Sequence, residues 1–175
     1  MLEFGGSRAG FTSPVQAPKM GGIDIHIRQA VLADAAVIAE FNLQLAEESE
    51  NLRLDPGQVQ AGVDALLRDP GKGLYFVAEA QGTVIGQVMI TYEWSDWRNG
   101  NLWWLQSVYV KPEFRQLGIF RQLFEYLQKM ASEKTDVRTL RLYMHSENTR
   151  ARKTYEKLGM KPTHYEVFEL ELPNS

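Results

Sequence analysis

The sequence predicts an α/β domain, a mixed β-sheet covered by helices, preceded by a short N-terminal arm. From Ile23 onward, stretches that alternate with period two interchange with stretches whose apolar residues recur at helical spacing. A length of 175 residues suits one hydrophobic core, so a single domain is expected over 23–175. With 44% hydrophobic and 23% charged residues, the composition is that of a globular chain.

Residues 1–22 stand apart from the rest. They are rich in Gly, Ser, Ala and Pro, as in Gly5-Gly6-Ser7 and Ser13-Pro14, and too poor in apolar surface to offset ordering entropy. A flexible arm is expected there, with Met20 as a second candidate start. Ile23 to Arg28 alternates as a half-buried strand. Asp34 is placed to cap a helix with Val37, Ile38, Phe41 and Leu45 on one face. A second helix is expected from Gln58 to Leu67, ending before Asp69-Pro70-Gly71. Leu74 to Ala78 and Val84 to Trp94 form a hairpin across Ala80-Gln81-Gly82. After a turn at 96–101, Leu102 to Val110 is a long aromatic and β-branched strand. Ile119, Leu123, Phe124, Leu127, Met130 and Ala131 then mark an amphipathic helix. Leu140 to Met144 is a further strand. Asn148 opens a short helix that Gly159 stops, and Tyr165 to Leu172 alternates as a closing strand.

Composition excludes several function classes. The formal net charge of -3 and pI near 5.7 argue against a nucleic-acid protein held by phosphate contacts. No stretch is apolar for long enough to span a membrane. The absence of cysteine removes disulfides, thiolate metal sites and cysteine nucleophiles. His26, His145 and His164 show no metal-ligand spacing, so no metal is expected. The N-terminus lacks the layout of a signal peptide, and a cytoplasmic location is expected.

Chemistry concentrates after the long strand. Val108-Tyr109-Val110-Lys111-Pro112 ends it, and Arg115-Gln116-Leu117-Gly118-Ile119-Phe120-Arg121 leads into a helix. The first helical turn exposes unpaired N–H groups and the positive end of the dipole. Such a turn suits phosphate; Gly118 permits close backbone approach, and Arg115 and Arg121 add charge. After the next strand comes Asn148, then Tyr155 seven positions on, then Leu158-Gly159-Met160.

These two motifs, on these elements and in this order, resemble the GNAT family of N-acetyltransferases. Arg115 to Phe120 matches the family's Arg-x-x-Gly-x-Gly/Ala pattern except at Phe120, and Met160 stands where Phe is usual. The resemblance implies a mixed, mostly antiparallel central sheet with helices on both faces, the acyl-CoA N-acyltransferase fold. It implies acetyl-CoA as co-substrate, its pantetheine paired with the backbone of Val108, Tyr109 and Val110. The pyrophosphate would lie on the N–H groups of Gln116, Leu117, Gly118, Ile119, Phe120 and Arg121, with the Phe120 ring turned away. Asn148 would bond the pantetheine and Tyr155 would face the sulfur. The family's fold also implies a homodimer, because its last strand often pairs with a neighbour.

In that setting an amine attacks the thioester directly, and a backbone N–H at the sheet split stabilises the oxyanion. Tyr155, protonated at neutral pH, is the acid for the leaving thiolate. One branch of the family, acting on ribosomal-protein N-termini, uses a Glu five residues before the motif Asn; that position is Tyr143 here, so its role does not carry over. Glu93 is the candidate base, with Asp96, Glu47, Glu48 and Glu50 as alternatives, each more readily read as a solvated surface charge. Tyr92 to Arg98, followed by Trp103 and Trp104, interleaves aromatic and acidic residues. It reads either as a pocket for a small-molecule or peptide amine or as core and interface packing. Two other functions use part of these residues. An acyl-CoA sensor needs Gly118 and Asn148 but not Tyr155, and a protein-interaction module needs only the Trp-rich hairpin and the arm.

Overall fold

The computed structural model describes residues 24–172; the expected arm, Met20 and Ile23 lie outside the described residues. The chain divides into two compact units, Met1–Tyr143 and Met144–Ser175. The first holds a five-stranded sheet in the order β1 (Ile25–Gln29), β2 (Leu74–Ala80), β3 (Thr83–Ser95), β4 (Gly100–Val110), β5 (Val137–Arg141). All neighbours are antiparallel except β4 and β5, which run parallel. The expected mixed, mostly antiparallel sheet is therefore observed.

Helices cover both faces. On one, α1 (Ala35–Glu50) and α2 (Pro56–Arg68) bury Ile38 and Val63 against Tyr75 and Val77 of β2. On the other, α3 (Ile119–Ser132) lies over Phe76, its Tyr126 ring 5.7 Å away. Leu123 and Leu127 of that helix are fully buried, as their helical spacing predicts. Gln81 and Gly82 both adopt positive φ, the backbone that a two-residue hairpin loop between right-twisted strands requires. Asp55 caps α2 by accepting from the Gln58 N–H at 2.7 Å.

Several elements differ from expectation. Asp34 stands at the N-cap position of α1, but its side chain makes no capping bond there. It closes a short 3-10 turn, Leu32–Asp34, accepting the Val31 N–H at 2.8 Å, while Arg28 grips its carboxylate at 2.7 and 2.8 Å. A second 3-10 turn, Pro112–Phe114, follows the proline, so α3 starts only at Ile119. β5 lies three residues earlier than the Leu140 to Met144 pattern suggests. It pairs with Asn101–Trp104, and β4 is bulged beyond that point, which bends a strand out of register.

In the second unit, α4 (Thr149–Lys157) starts at Asn148, whose side-chain oxygen accepts the Ala151 N–H at 2.9 Å. Gly159 at φ 84 ends it, with the Met160 N–H bonded to the Tyr155 carbonyl at 3.0 Å. The expected closing strand from Tyr165 to Leu172 is not formed. Alternation favours a strand only where a partner edge accepts it, and here Val167 and Phe168, adjacent in sequence, are both exposed. Among the described residues no helix is long and apolar enough to cross a membrane.

Candidate active site

The C-terminal half of β4 is shaped by a bulge. Gln87 of β3 faces Tyr109 and Met89 faces Gln106, so Ser107 and Val108 together oppose Val88. Ser107 takes a left-handed φ of 47°. On the other side, β5 stops pairing at Trp104. Among the described residues no strand pairs with that side of Leu105 to Val110, so the edge is open. Gly86 sits opposite Val110, where a Cβ would meet the Tyr109 carbonyl at 3.1 Å and Ile119 at 3.3 Å. Its lack of a side chain lets α3 begin close against the sheet.

The turn between β4 and α3 holds two residues in left-handed backbone, Gln116 at φ 67 and Gly118 at φ 75. Gly118 is the N-cap of α3, at the positive end of that helix. Turns of this kind point successive N–H groups into one concavity, the arrangement an anion needs. Leu117 is exposed and Ile119 buried, so the turn is anchored on its helix side. The Phe120 ring lies along α3 toward Phe124, with centroids 6.2 Å apart.

The basic residues divide. Arg121 pairs with Glu125 on the outer face of α3 at 2.7 Å. Arg115 instead reaches back to the sheet. Its Nε donates to the Val110 carbonyl at 2.8 Å, its Nη2 to Glu48 at 2.6 Å, and its guanidinium lies over the Tyr109 ring. The Tyr109 hydroxyl donates to Gln44 at 2.6 Å and lies 3.2 Å from Glu48. Burial, then the Glu48 charge, pushes that phenol above its ordinary value. α1 thus holds β4 and the turn together through a set of side chains that spacing alone does not reveal.

Further along the same sheet face lies the candidate base. Glu93 accepts from the Trp104 indole N–H at 2.6 Å, and both its oxygens lie 3.2 Å from Arg141. Arg141 also lies over the Trp104 ring, and Tyr143 is stacked obliquely on it. Trp103, on the opposite face, is buried in the core. Trp94 and Trp97 are exposed at the hairpin end, and Asp96 is engaged by the Trp97 N–H at 2.9 Å. In the second unit, Asn148 caps α4 and Tyr155 lies on that helix. Burial raises the Tyr155 phenol above its ordinary value.

Two residues escaped the sequence reading. Gln87 is fully buried within an otherwise apolar strand, and Asn42 of α1 meets it at 2.8 Å. A lone amide at an inward position between Ile85 and Met89 was the available signal.

The open edge of β4, the left-handed turn after it and the helix starting there form one continuous unit from Val108 to Arg121. The model of the acetyltransferase (GNAT) family matches residues 39–160, and the chain belongs to that family. It is an acyltransferase, and acetyl-CoA is its co-substrate. The chain is 34% identical over 150 residues to a thialysine N-epsilon-acetyltransferase of Bos taurus, covering 77% of this chain and 83% of that protein. It is 31% identical over 107 residues to a phosphinothricin N-acetyltransferase of Streptomyces viridochromogenes, covering 60% of this chain and 57% of the relative. Among solved structures, a possible acetyltransferase from Clostridium difficile 630 superposes with a TM-score of 0.80 at 45% identity, covering 85% of this chain and 97% of that one.

Proposed function

We propose that the chain is an N-acetyltransferase that moves the acetyl group of acetyl-CoA to a primary amine by direct attack. The observation that carries this reading is the unit from Val108 to Arg121, where an open strand edge runs into a turn with two left-handed residues and a helix N-terminus. The pantetheine arm pairs with Val108, Tyr109 and Val110 as an added strand. The pyrophosphate rests on the N–H groups from Gln116 to Arg121, while Arg115 holds the turn in place. Asn148, whose oxygen is spent on α4, offers its amide nitrogen to the pantetheine.

The amine nitrogen adds to the thioester carbon, and the carbonyl oxygen becomes an oxyanion that a β4 N–H stabilises. The C–S bond then breaks, the sulfur takes the phenol proton of Tyr155, and the second proton that the new amide nitrogen sheds returns the phenolate to its neutral form. A raised phenol is fully protonated near neutrality, the state this step requires. Glu93, oriented by Trp104 and Arg141, draws in the acceptor ammonium and takes its proton. The two curated relatives are named for N-acetyl transfer to thialysine and to phosphinothricin, which supports an amine as acceptor. The enzyme is read as a cytoplasmic homodimer.

The test is calorimetric titration with acetyl-CoA followed by thiol release over a panel of primary amines. Binding with amine-dependent release is expected, and Tyr155→Phe should lower kcat about 100-fold while leaving acetyl-CoA affinity intact. Full activity in Tyr155→Phe would remove the assigned acid. Binding with no release on any amine would make the chain an acyl-CoA sensor.

A further inference from the structure

We propose that Gln87 is a positioning residue for acetyl transfer, its buried amide holding the Ser107 carbonyl so that the Val108 N–H faces the open edge of β4. The inference rests on the reading that the thioester lies at that edge. At the bulge, Ser107 departs from strand geometry and shares with Val108 a single opposing residue on β3. Gln87 reaches the Ser107 carbonyl. Its Nε2 lies 3.3 Å from the Ser107 carbonyl oxygen and 2.8 Å from Asn42 Oδ1. Asn42 is oriented in turn by donating to the Tyr75 hydroxyl at 2.9 Å.

Peptide planarity transmits this anchor to the site. No cis peptide occurs among the described residues, and in a trans peptide the carbonyl of one residue points opposite to the N–H of the next. Fixing the Ser107 oxygen on Gln87 therefore turns the Val108 N–H away from β3, toward the edge that β5 leaves unpaired after Trp104. An oxyanion donor works only when it is already aimed before charge develops. Packing alone gives no reason for an amide here. Gln87 is 0% exposed, and its Oε1 has no partner among the described residues, a defect that Met or Leu of similar volume would not have. The amide is explained by the carbonyl it holds.

The test compares Gln87→Met, Asn42→Ala and the control Val63→Ala, a core truncation between α1, α2 and β2 that lies away from the bulge. Each is assayed below its melting transition, with acetyl-CoA affinity measured by calorimetry. Gln87→Met is expected to lower kcat about tenfold or more, with acetyl-CoA Kd and acceptor KM within about threefold of the parent. Asn42→Ala should shift kcat in the same direction by less, and it carries the test if Gln87→Met does not fold. Val63→Ala should lose melting temperature and keep kcat. Parent-like kcat in Gln87→Met, or in Asn42→Ala where that variant carries the test, overturns the inference, as does an equal fall in Val63→Ala. A parent chain that binds no acetyl-CoA overturns the proposed function, and this inference with it.

Discussion

Asp34 is an acid whose charge is fixed mainly by one neighbour. The Arg28 guanidinium holds its carboxyl below the usual carboxylate range, and the Val31 N–H helps, while burial opposes both. The same contact raises Arg28, so that residue stays charged throughout the accessible range. A carboxylate depressed in the folded state adds stability above its unfolded value of about 3.9, and that stability is lost as pH falls through the folded value. Urea midpoints of the parent chain should therefore drop as pH falls below about 4. Asp34→Asn should flatten that slope and cost about 1.5–3 kcal/mol at pH 7. An unchanged slope in the variant would show that other carboxylates drive acid unfolding. The residue type and position of Asp34 suggested a helix cap because both fit one. Its true partner stands on a neighbouring strand, in a geometry that only the folded turn creates.

Among the elements, α1 does most to hold the C-terminal half of β4 in place. One face of it carries Phe41 onto the Tyr109 ring, Asn42 onto Gln87, and Gln44 and Glu48 onto the Tyr109 hydroxyl. Arg115 completes the set by bonding Glu48 and the Val110 carbonyl at once. Lysine carries all its donors on one nitrogen and cannot span both partners in that fixed geometry. Arg115→Lys should therefore weaken acetyl-CoA binding about threefold to tenfold, measured by calorimetry, with little change in melting temperature. Unchanged affinity would mean that the turn holds its shape without the clamp. The elements themselves were legible because α1, α3 and the meander strands bury side chains at regular spacing. The left-handed turn before α3 was legible from Gly118 and the helix that follows it. The clamp was not, since Gln44 looks like a solvated helix position and Glu47, Glu48 and Glu50 read as a loop after the first helix, whereas α1 runs on to Glu50 and sets Glu48 beside β4. The start of β5 was misplaced for a related reason, because Leu140 to Met144 is apolar enough for a strand but β4 offers a partner only as far as Trp104.

At the scale of the molecule, a five-stranded sheet clad on both faces holds most of the buried apolar surface. The short second unit contributes α4 and leaves Tyr165, Val167, Phe168, Leu170 and Leu172 exposed. The open side of β4 lies inside the strand order, on the side where β5 stops pairing after Trp104. Unpaired strand edges recruit whatever extended chain they meet, and this one carries Leu105, Val108 and Val110. Under the proposed function, pantetheine closes that side during the reaction cycle, so the donor also shields the protein from itself. Held below its melting transition, the ligand-free enzyme should gain light scattering over hours, and coenzyme A at saturating concentration should suppress it. Equal scattering with and without coenzyme A would show that the edge is not what makes copies adhere. If the donor does suppress it, shelf life becomes a property of cofactor supply, and a preparation stripped of coenzyme A would cloud first.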